Sequence, residues 1–186
     1  MKVVLINPYE IGRQPFGLAE PAAWLKRAGC EVSCLDLSLQ KLEPEVLAGA
    51  ELVCIYVAMH TATRIAVEVV ARLKQLVPRA ELCVYGLYAP MNEQLFRSLG
   101  AGTVFGGEVE PQLLSLVERL KRGEKAQIEP VTNTHKIEFL VPDRSGLPPL
   151  ARYAHLLTAD GSRIVGFAEG SRGCKHLCRH CPVVPV

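Results

Sequence analysis

The sequence predicts an α/β protein built on a doubly wound parallel sheet. Two observations carry that expectation. Short apolar runs alternate with longer amphipathic segments from residue 1 to residue 123, giving five strand–helix pairs. The apolar runs are nearly continuous, as in strands covered by helices on both faces, instead of alternating apolar with polar.

"KVVLINP" (2–8) is the first strand, ended by Pro8. "GLAEPAAWLKRAG" (17–29) follows as a helix with a glycine stop at Gly29. "CEVSCLDLS" (30–38) is the second strand, a short helical segment covers 43–49, and "AELVCIYVA" (50–58) is the third strand. "TATRIAVEVVARLKQLV" (61–77) is the longest helix, with Thr61 as its cap and Ile65, Val69, Leu73 and Leu76 on its apolar face. "AELCVYG" (80–86) is the fourth strand, and a helix over 91–100 has Asn92 as an alternative cap. "GTVFGG" (102–107) is the fifth strand, and "EPQLLSLVERLKRG" (110–123) closes the series at a glycine. Right-handed crossovers restrict the layout, and the flavodoxin-like order 2-1-3-4-5 is expected.

The chain has 186 residues, 49% of them apolar, enough for a packed core. Lys plus Arg number 21 against 19 Asp plus Glu, too even a balance to suggest nucleic acid or membrane binding. No run approaches the ~18 apolar residues of a membrane span. "MKVVLINPYE" reads as a strand, not a signal peptide. A cytoplasmic location is expected. From 124 to 161 prolines and turn residues loosen the pattern into a linker, with Leu150, Tyr153 and Leu156 able to pack as one helical turn. "SRIVGFAEG" (162–170) returns to strand character and leads into Gly173 and Cys174.

Sheets of this kind bind ligands beyond the carboxyl ends of their strands. In this sequence that edge comprises Asn7 and Pro8, Asp36, and Met59 and His60. It continues with Gly86, Leu87 and Tyr88, then Gly106, Gly107 and Glu108. "GGE" (106–108) puts glycines before a helix, where free N–H groups can meet a phosphate or amide. "YGLYAP" (85–90) lets backbone approach a flat ring at Gly86, beside Tyr88. Both stretches also suit plain strand-to-helix turns, and Asp36 suits a strand end. Neither a G-x-G-x-x-G fingerprint nor a Walker A loop is present.

Seven cysteines divide into two groups. Cys30, Cys34, Cys54 and Cys83 sit among apolar residues and read as small buried hydrophobes. Cys174, Cys178 and Cys181 form C-x3-C-x2-C within "GSRGCKHLCRHCP" (170–182). A structural zinc site wants four protein ligands, and a redox dithiol leaves one of the three surplus. Three close thiolates suit a cubane iron–sulfur cluster with one iron left open. Arg172, Lys175, Arg179 and His180 would favour the thiolate form. Zinc and redox thiols remain alternatives.

On "SRGCKHLCRHCP" the chain resembles the radical S-adenosylmethionine enzymes, and its sheet resembles the cobalamin-binding domain often fused in front of them. "GLAEPAAWLKRAGCEVSCLD", "MHTATR", "YGLYA" and "GGEVEPQLL" extend the resemblance over nearly the whole chain. It implies that Cys174, Cys178 and Cys181 each ligate one iron of a [4Fe-4S] cluster whose open iron binds S-adenosylmethionine. One electron, from a donor such as flavodoxin or ferredoxin, would then yield a 5′-deoxyadenosyl radical. It also implies cobalamin at the strand edge, at Asn7, Pro8, Met59, His60, Gly86 to Tyr88 and Gly106 to Glu108. "NPYEIGRQPFG" has neither the Asp nor the His of D-x-H-x-x-G, so no histidine axial ligand is expected. His180 also stands where an aromatic residue often precedes the third cysteine. On this reading 1–123 is a Rossmann-like cobalamin-binding-type domain, 124–161 a linker, and 162–186 the start of a radical-enzyme barrel. The chain is then expected to be the N-terminal piece of a longer protein, inactive alone, on an undefined substrate. A cobalamin or nucleotide binding module, or a zinc or iron–sulfur protein, is the alternative.

Overall fold

The computed structural model describes residues 1–174, 176, 178 and 179. Strands β1 (Lys2–Asn7), β2 (Glu31–Asp36), β3 (Leu52–Tyr56), β4 (Glu81–Tyr85) and β5 (Thr103–Gly107) all run parallel. They alternate with helices α1 (Phe16–Arg27), α2 (Pro44–Leu47), α3 (His60–Leu76), α4 (Glu93–Ser98) and α5 (Glu110–Lys121). The strand order β2-β1-β3-β4-β5 is the flavodoxin-like one expected. A sixth strand, β6 (Thr132–Asn133), extends the sheet beside β5 where five strands are expected. Two residues carry no legible pattern. The pairing is made by backbone, with Gly106 N–H donating to Val131 O and Glu108 N–H donating to Asn133 O.

Because successive strand side chains point to opposite faces, each apolar run divides into two cores. Val3, Leu5, Cys54, Cys83 and Phe105 face α1 and α5, meeting Leu18, Leu25, Leu113 and Leu116. Val4, Ile6, Val53, Ile55 and Val84 face the other side, against Leu47, Val70, Leu73 and Phe96. Cys30, Cys34, Cys54 and Cys83 are all buried and free.

Helix α3 differs from its expected face. Ala62, Ala66, Val69, Val70 and Leu73 are buried, whereas Ile65 and Leu76 are 36% and 39% exposed. Small alanines let the helix lie close to the sheet, and the stripe rotates toward them. Thr61 is not the cap either. Met59 occupies that position without a side-chain bond, and Thr63 Oγ1 donates to Met59 O at 3.1 Å.

The segment after α5 is docked along α1 and the strand edge. Leu140 N–H donates to Glu20 Oε1 at 2.8 Å, Asp143 N–H donates to Ala19 O at 2.9 Å, and Gln14 Nε2 donates to Pro148 O at 2.9 Å. Tyr153 is buried and donates its hydroxyl to Asp36 Oδ2 at 2.9 Å. Leu150–Arg152 makes one 3-10 turn, but Leu156 lies beyond it on β7 (His155–Thr158). β7 pairs antiparallel with β8 (Gly161–Ile164), so the strand expected at 162–170 closes an exposed hairpin. Among the described residues, no helix is long and apolar enough to cross a membrane.

The rotated face of α3 predicts unequal losses. Leu73→Ala should lower stability to urea by about 2–5 kcal/mol, as for a filled core position. Leu76→Ala should cost no more than about 1 kcal/mol. Similar losses at both positions would contradict the packing described.

Candidate functional site

All the strand ends that follow from a parallel sheet lie on one side, and two glycines bring their connections together. Gly86 ends β4 with φ 115°, and a Cβ there would stand 2.8 Å from Val57 O. Gly107 ends β5 with φ 71°, and a Cβ there would run into the Asn133 carbonyl. Both positions combine left-handed backbone with close approach of a neighbouring strand, which only glycine accommodates.

Between these ends and residues 167–173 lies a cavity of about 210 Å³. Tyr56 and Tyr85 wall it from the sheet, with Gly17 and Pro21 of α1 on one side and Glu169 and Arg172 on the other. The two tyrosine rings are tilted against each other, their centroids 5.5 Å apart. Their hydroxyls are both engaged. Tyr85 donates to Gly17 O at 2.7 Å and Tyr56 to Glu169 Oε1 at 3.1 Å. The ring of Tyr56 also packs over Gly17, where any side chain would collide with it.

Residues 167–173 form a strap held down by Arg172. Its Nη1 and Nη2 donate to the two carboxylate oxygens of Glu110, both at 2.7 Å. Nη1 also donates to Glu108 Oε2 at 3.0 Å, and Nε to Glu169 Oε2 at 3.1 Å. Burial opposes the charge on Arg172, but Glu110, Glu169 and Glu108 outweigh it and hold its pKa above the ordinary arginine range. Glu110 is fully buried in the first turn of α5, where the helix N-terminus favours an anion. The same guanidinium lies 5.5 Å from the centre of the Phe139 ring. Arg144 Nη2 adds a bond to Phe167 O at 2.6 Å.

Glu10, in the loop after β1, lines the cavity while being only 5% exposed. Its Oε2 has no hydrogen-bond partner among the described residues. Burial pushes its pKa up to about 7, helped by Glu169 and, less, by Asp36, while Arg13 opposes the shift. Arg13 itself is stacked on Phe167, 4.7 Å from the ring centre.

Of the strand-edge residues singled out from the sequence, Met59, Gly86, Leu87 and Gly107 line this cavity. Glu108 binds Arg172 instead, and burial raises its pKa. Asn7 is buried and donates to Asp36 Oδ1 at 2.9 Å, and Asp36 also accepts from Ser38 N–H at 3.0 Å. Asp36 therefore joins the strand ends to Tyr153. Pro8 is buried outside the cavity lining, and Gly106 packs on Pro90. Tyr88 packs with the α3-side core, and His60 is exposed with its Nε2 3.3 Å from Thr61 Oγ1. Cys174 is half-buried and Cys178 exposed; Cys181 lies outside the described residues. Glu10, Arg13, Tyr56, Glu169 and Arg172 carry the polar and aromatic character of the site. Their only sequence signals are a charge after the first strand and the charged pair flanking Gly170 and Ser171.

No family model matches this chain, and no curated protein matches it. Among solved structures it is similar to the isolated REC domain of RcsB from Salmonella enterica serovar Typhimurium. That match has a TM-score of 0.50 and 13% identity, covering 72% of this chain and 92% of the other. It is also similar to the RcsB response regulator of Salmonella typhimurium, described for conformational dynamism in DNA interaction. There the TM-score is 0.51 with 14% identity, covering 69% of this chain and 66% of that one. Both likenesses establish the flavodoxin-like fold.

These comparisons correct the reading of the chain as the front of a radical S-adenosylmethionine enzyme. What matches is a REC domain and a response regulator. Among the described residues, no group of three or more His, Cys, Asp or Glu side chains could hold a metal ion. The radical-generating function expected of an iron–sulfur cluster is corrected with it, and Cys181, the third expected ligand, lies outside the described residues. Arg172, expected to favour thiolates, is occupied by the carboxylates of Glu108, Glu110 and Glu169. A spacing of three cysteines fixes neither their geometry nor their surroundings.

The buried Glu10 predicts a pH dependence of stability. Its folded pKa of about 7 lies above the ordinary 4.5, so the native state holds the proton more tightly than the unfolded chain. Stability therefore falls as pH rises from about 4.5 to 7, then levels off. Glu10→Gln should match the wild type in stability near pH 4 and exceed it by about 1–3 kcal/mol at pH 8. Chemical denaturation at the two pH values measures this, and a variant less stable at pH 8 would contradict it.

Proposed function

We propose that the chain is a small-molecule-binding module of receiver-like fold, with its ligand at the carboxyl edge of the sheet and its response in residues 167–173. One observation carries the reading. A single cavity is lined both by strand-end residues, among them Tyr56, Met59 and Gly107, and by Glu169, Ser171 and Arg172 of the strap. A ligand there touches sheet and strap together, so its binding energy bears on how firmly the strap is held. The names of the structurally similar proteins, a REC domain and a response regulator, support a regulatory use of this fold.

Size and wall chemistry narrow the ligand. The cavity's 210 Å³ falls below the ~300–1,000 Å³ of drug-sized sites, which suits a compact molecule of about one ring. A corrin-sized group would enter only with the strap displaced. Tyr56, Tyr85, Pro21 and Val109 supply apolar walls for a flat body.

Three isosteric probes test this reading: benzamidine, benzamide and benzoate, followed by saturation-transfer NMR. Ala58 lines the cavity and is half-buried, so Ala58→Leu fills the space without changing its charge. At least one probe should bind the wild type, and binding should slow amide exchange within 167–173 severalfold. Ala58→Leu should weaken that probe by tenfold or more. Binding of no probe, or equal binding to the filled variant, would overturn the proposal.

A further inference from the structure

We infer that the ligand of this cavity is an organic cation, an amine or amidine on a flat apolar body, held through its N–H groups by Glu10. The inference rests on the cavity being a ligand site, as proposed above.

Three observations converge on it. The first is the carboxylate itself. Glu10 is 95% removed from solvent, lines the cavity, and keeps Oε2 without a partner among the described residues. A buried polar atom in that state costs free energy until a donor reaches it. Among the described residues, the tyrosine hydroxyls and Arg172 are engaged elsewhere. Tyr56 donates to Glu169, Tyr85 donates to Gly17 O, and Arg172 donates to Glu108, Glu110 and Glu169. Arg13 lies over the Phe167 ring.

The second observation is the balance of charge. Among the described residues that line the cavity or bind its wall, Glu10, Glu108, Glu110 and Glu169 stand against Arg13 and Arg172. An incoming anion meets this excess of carboxylates and a guanidinium already paired with three of them. A cation instead restores neutrality, and pairing it with Glu10 offsets the desolvation of both charges. A neutral amide could donate to Glu10 but would leave the excess uncompensated.

The third observation is the walls. Because the tyrosine hydroxyls are turned to Glu169 and Gly17, the rings themselves line the cavity. Aromatic rings attract a cation held over their faces within about 6 Å. Carboxylate and rings thus favour the same class of ligand.

Proton linkage follows. The charged groups acting on Glu10 are Glu169, Arg13 and Asp36, and Tyr56 and Arg172 share its cavity. Only ionised Glu10 pairs with a cation, so binding displaces the proton that Glu10 holds below about pH 7. Affinity for a permanently protonated amidine then rises about tenfold from pH 6 to pH 8. Affinity for a neutral isostere stays flat.

Isothermal titration of the full chain with benzamidine, benzamide and benzoate at pH 6 and pH 8 tests this, using wild type and Glu10→Gln. The variant removes a buried charge and is expected to fold. Benzamidine should bind the wild type at pH 8 at least tenfold more tightly than benzamide or benzoate, and about tenfold more weakly at pH 6. Glu10→Gln should lose that preference and its pH dependence. Benzamide or benzoate binding as tightly as benzamidine would overturn the inference while leaving the cavity a ligand site. Unchanged benzamidine affinity in Glu10→Gln would do the same. Binding by none of the three would overturn both.

Discussion

The arrangement of Arg172 among Glu108, Glu110 and Glu169 is the interaction on which the carboxyl edge depends. Glu110 is wholly buried and Arg172 nearly so, hence neither charge is tolerable without the other. Removing one member of such a group leaves an unpaired buried charge, a loss of about 3–5 kcal/mol. The planar fork of arginine matches both oxygens of Glu110 at once, which a lysine could not do. This clamp fastens a stretch some sixty residues downstream onto the first turn of α5 and onto the loop after β5. It thereby turns a bare sheet edge into a walled, partly open cavity.

The rest of the site follows from that arrangement. Parallel strands collect their carboxyl ends on one side, and Gly86 and Gly107 keep the connections close to the sheet. With the strap in place, Glu10 is cut off from water and its proton affinity rises. Glu169 serves two roles, bonding Arg172 through one oxygen and Tyr56 through the other, so the clamp and the aromatic wall are mechanically continuous. A ligand that neutralises Glu10 acts on a group electrostatically coupled to Glu169. That coupling is the route by which occupancy reaches the strap.

Much of the fold was legible because apolar runs of five or six residues, each followed by an amphipathic helix, admit few arrangements. The edge strand β6 was not, since two residues joined by backbone bonds have no side-chain pattern. The face of α3 was misplaced because Ile65 and Leu76 are large and apolar, yet alanines at 62 and 66 set the closer approach to the sheet. At the site, the sequence points to the carboxyl edge and to Met59, Gly86, Leu87 and Gly107, which line the cavity. It did not reveal Glu10 or the clamp. A buried carboxylate looks like any surface glutamate in sequence, and the partners of Arg172 lie 62 and 64 positions away. The cysteine spacing drew attention to residues beside the clamp and away from the arginine that organises it.

On this proposal a cationic ligand sits at the walled edge against Glu10 and Tyr56. A crystal structure of the chain grown with benzamidine tests it most directly. The account predicts density for the amidine with a nitrogen about 2.7–3.0 Å from a Glu10 carboxylate oxygen, the ring against Tyr56, and Arg172 still gripping Glu110. Amidine density elsewhere on the chain, with Glu10 contacting none of it, would contradict the account.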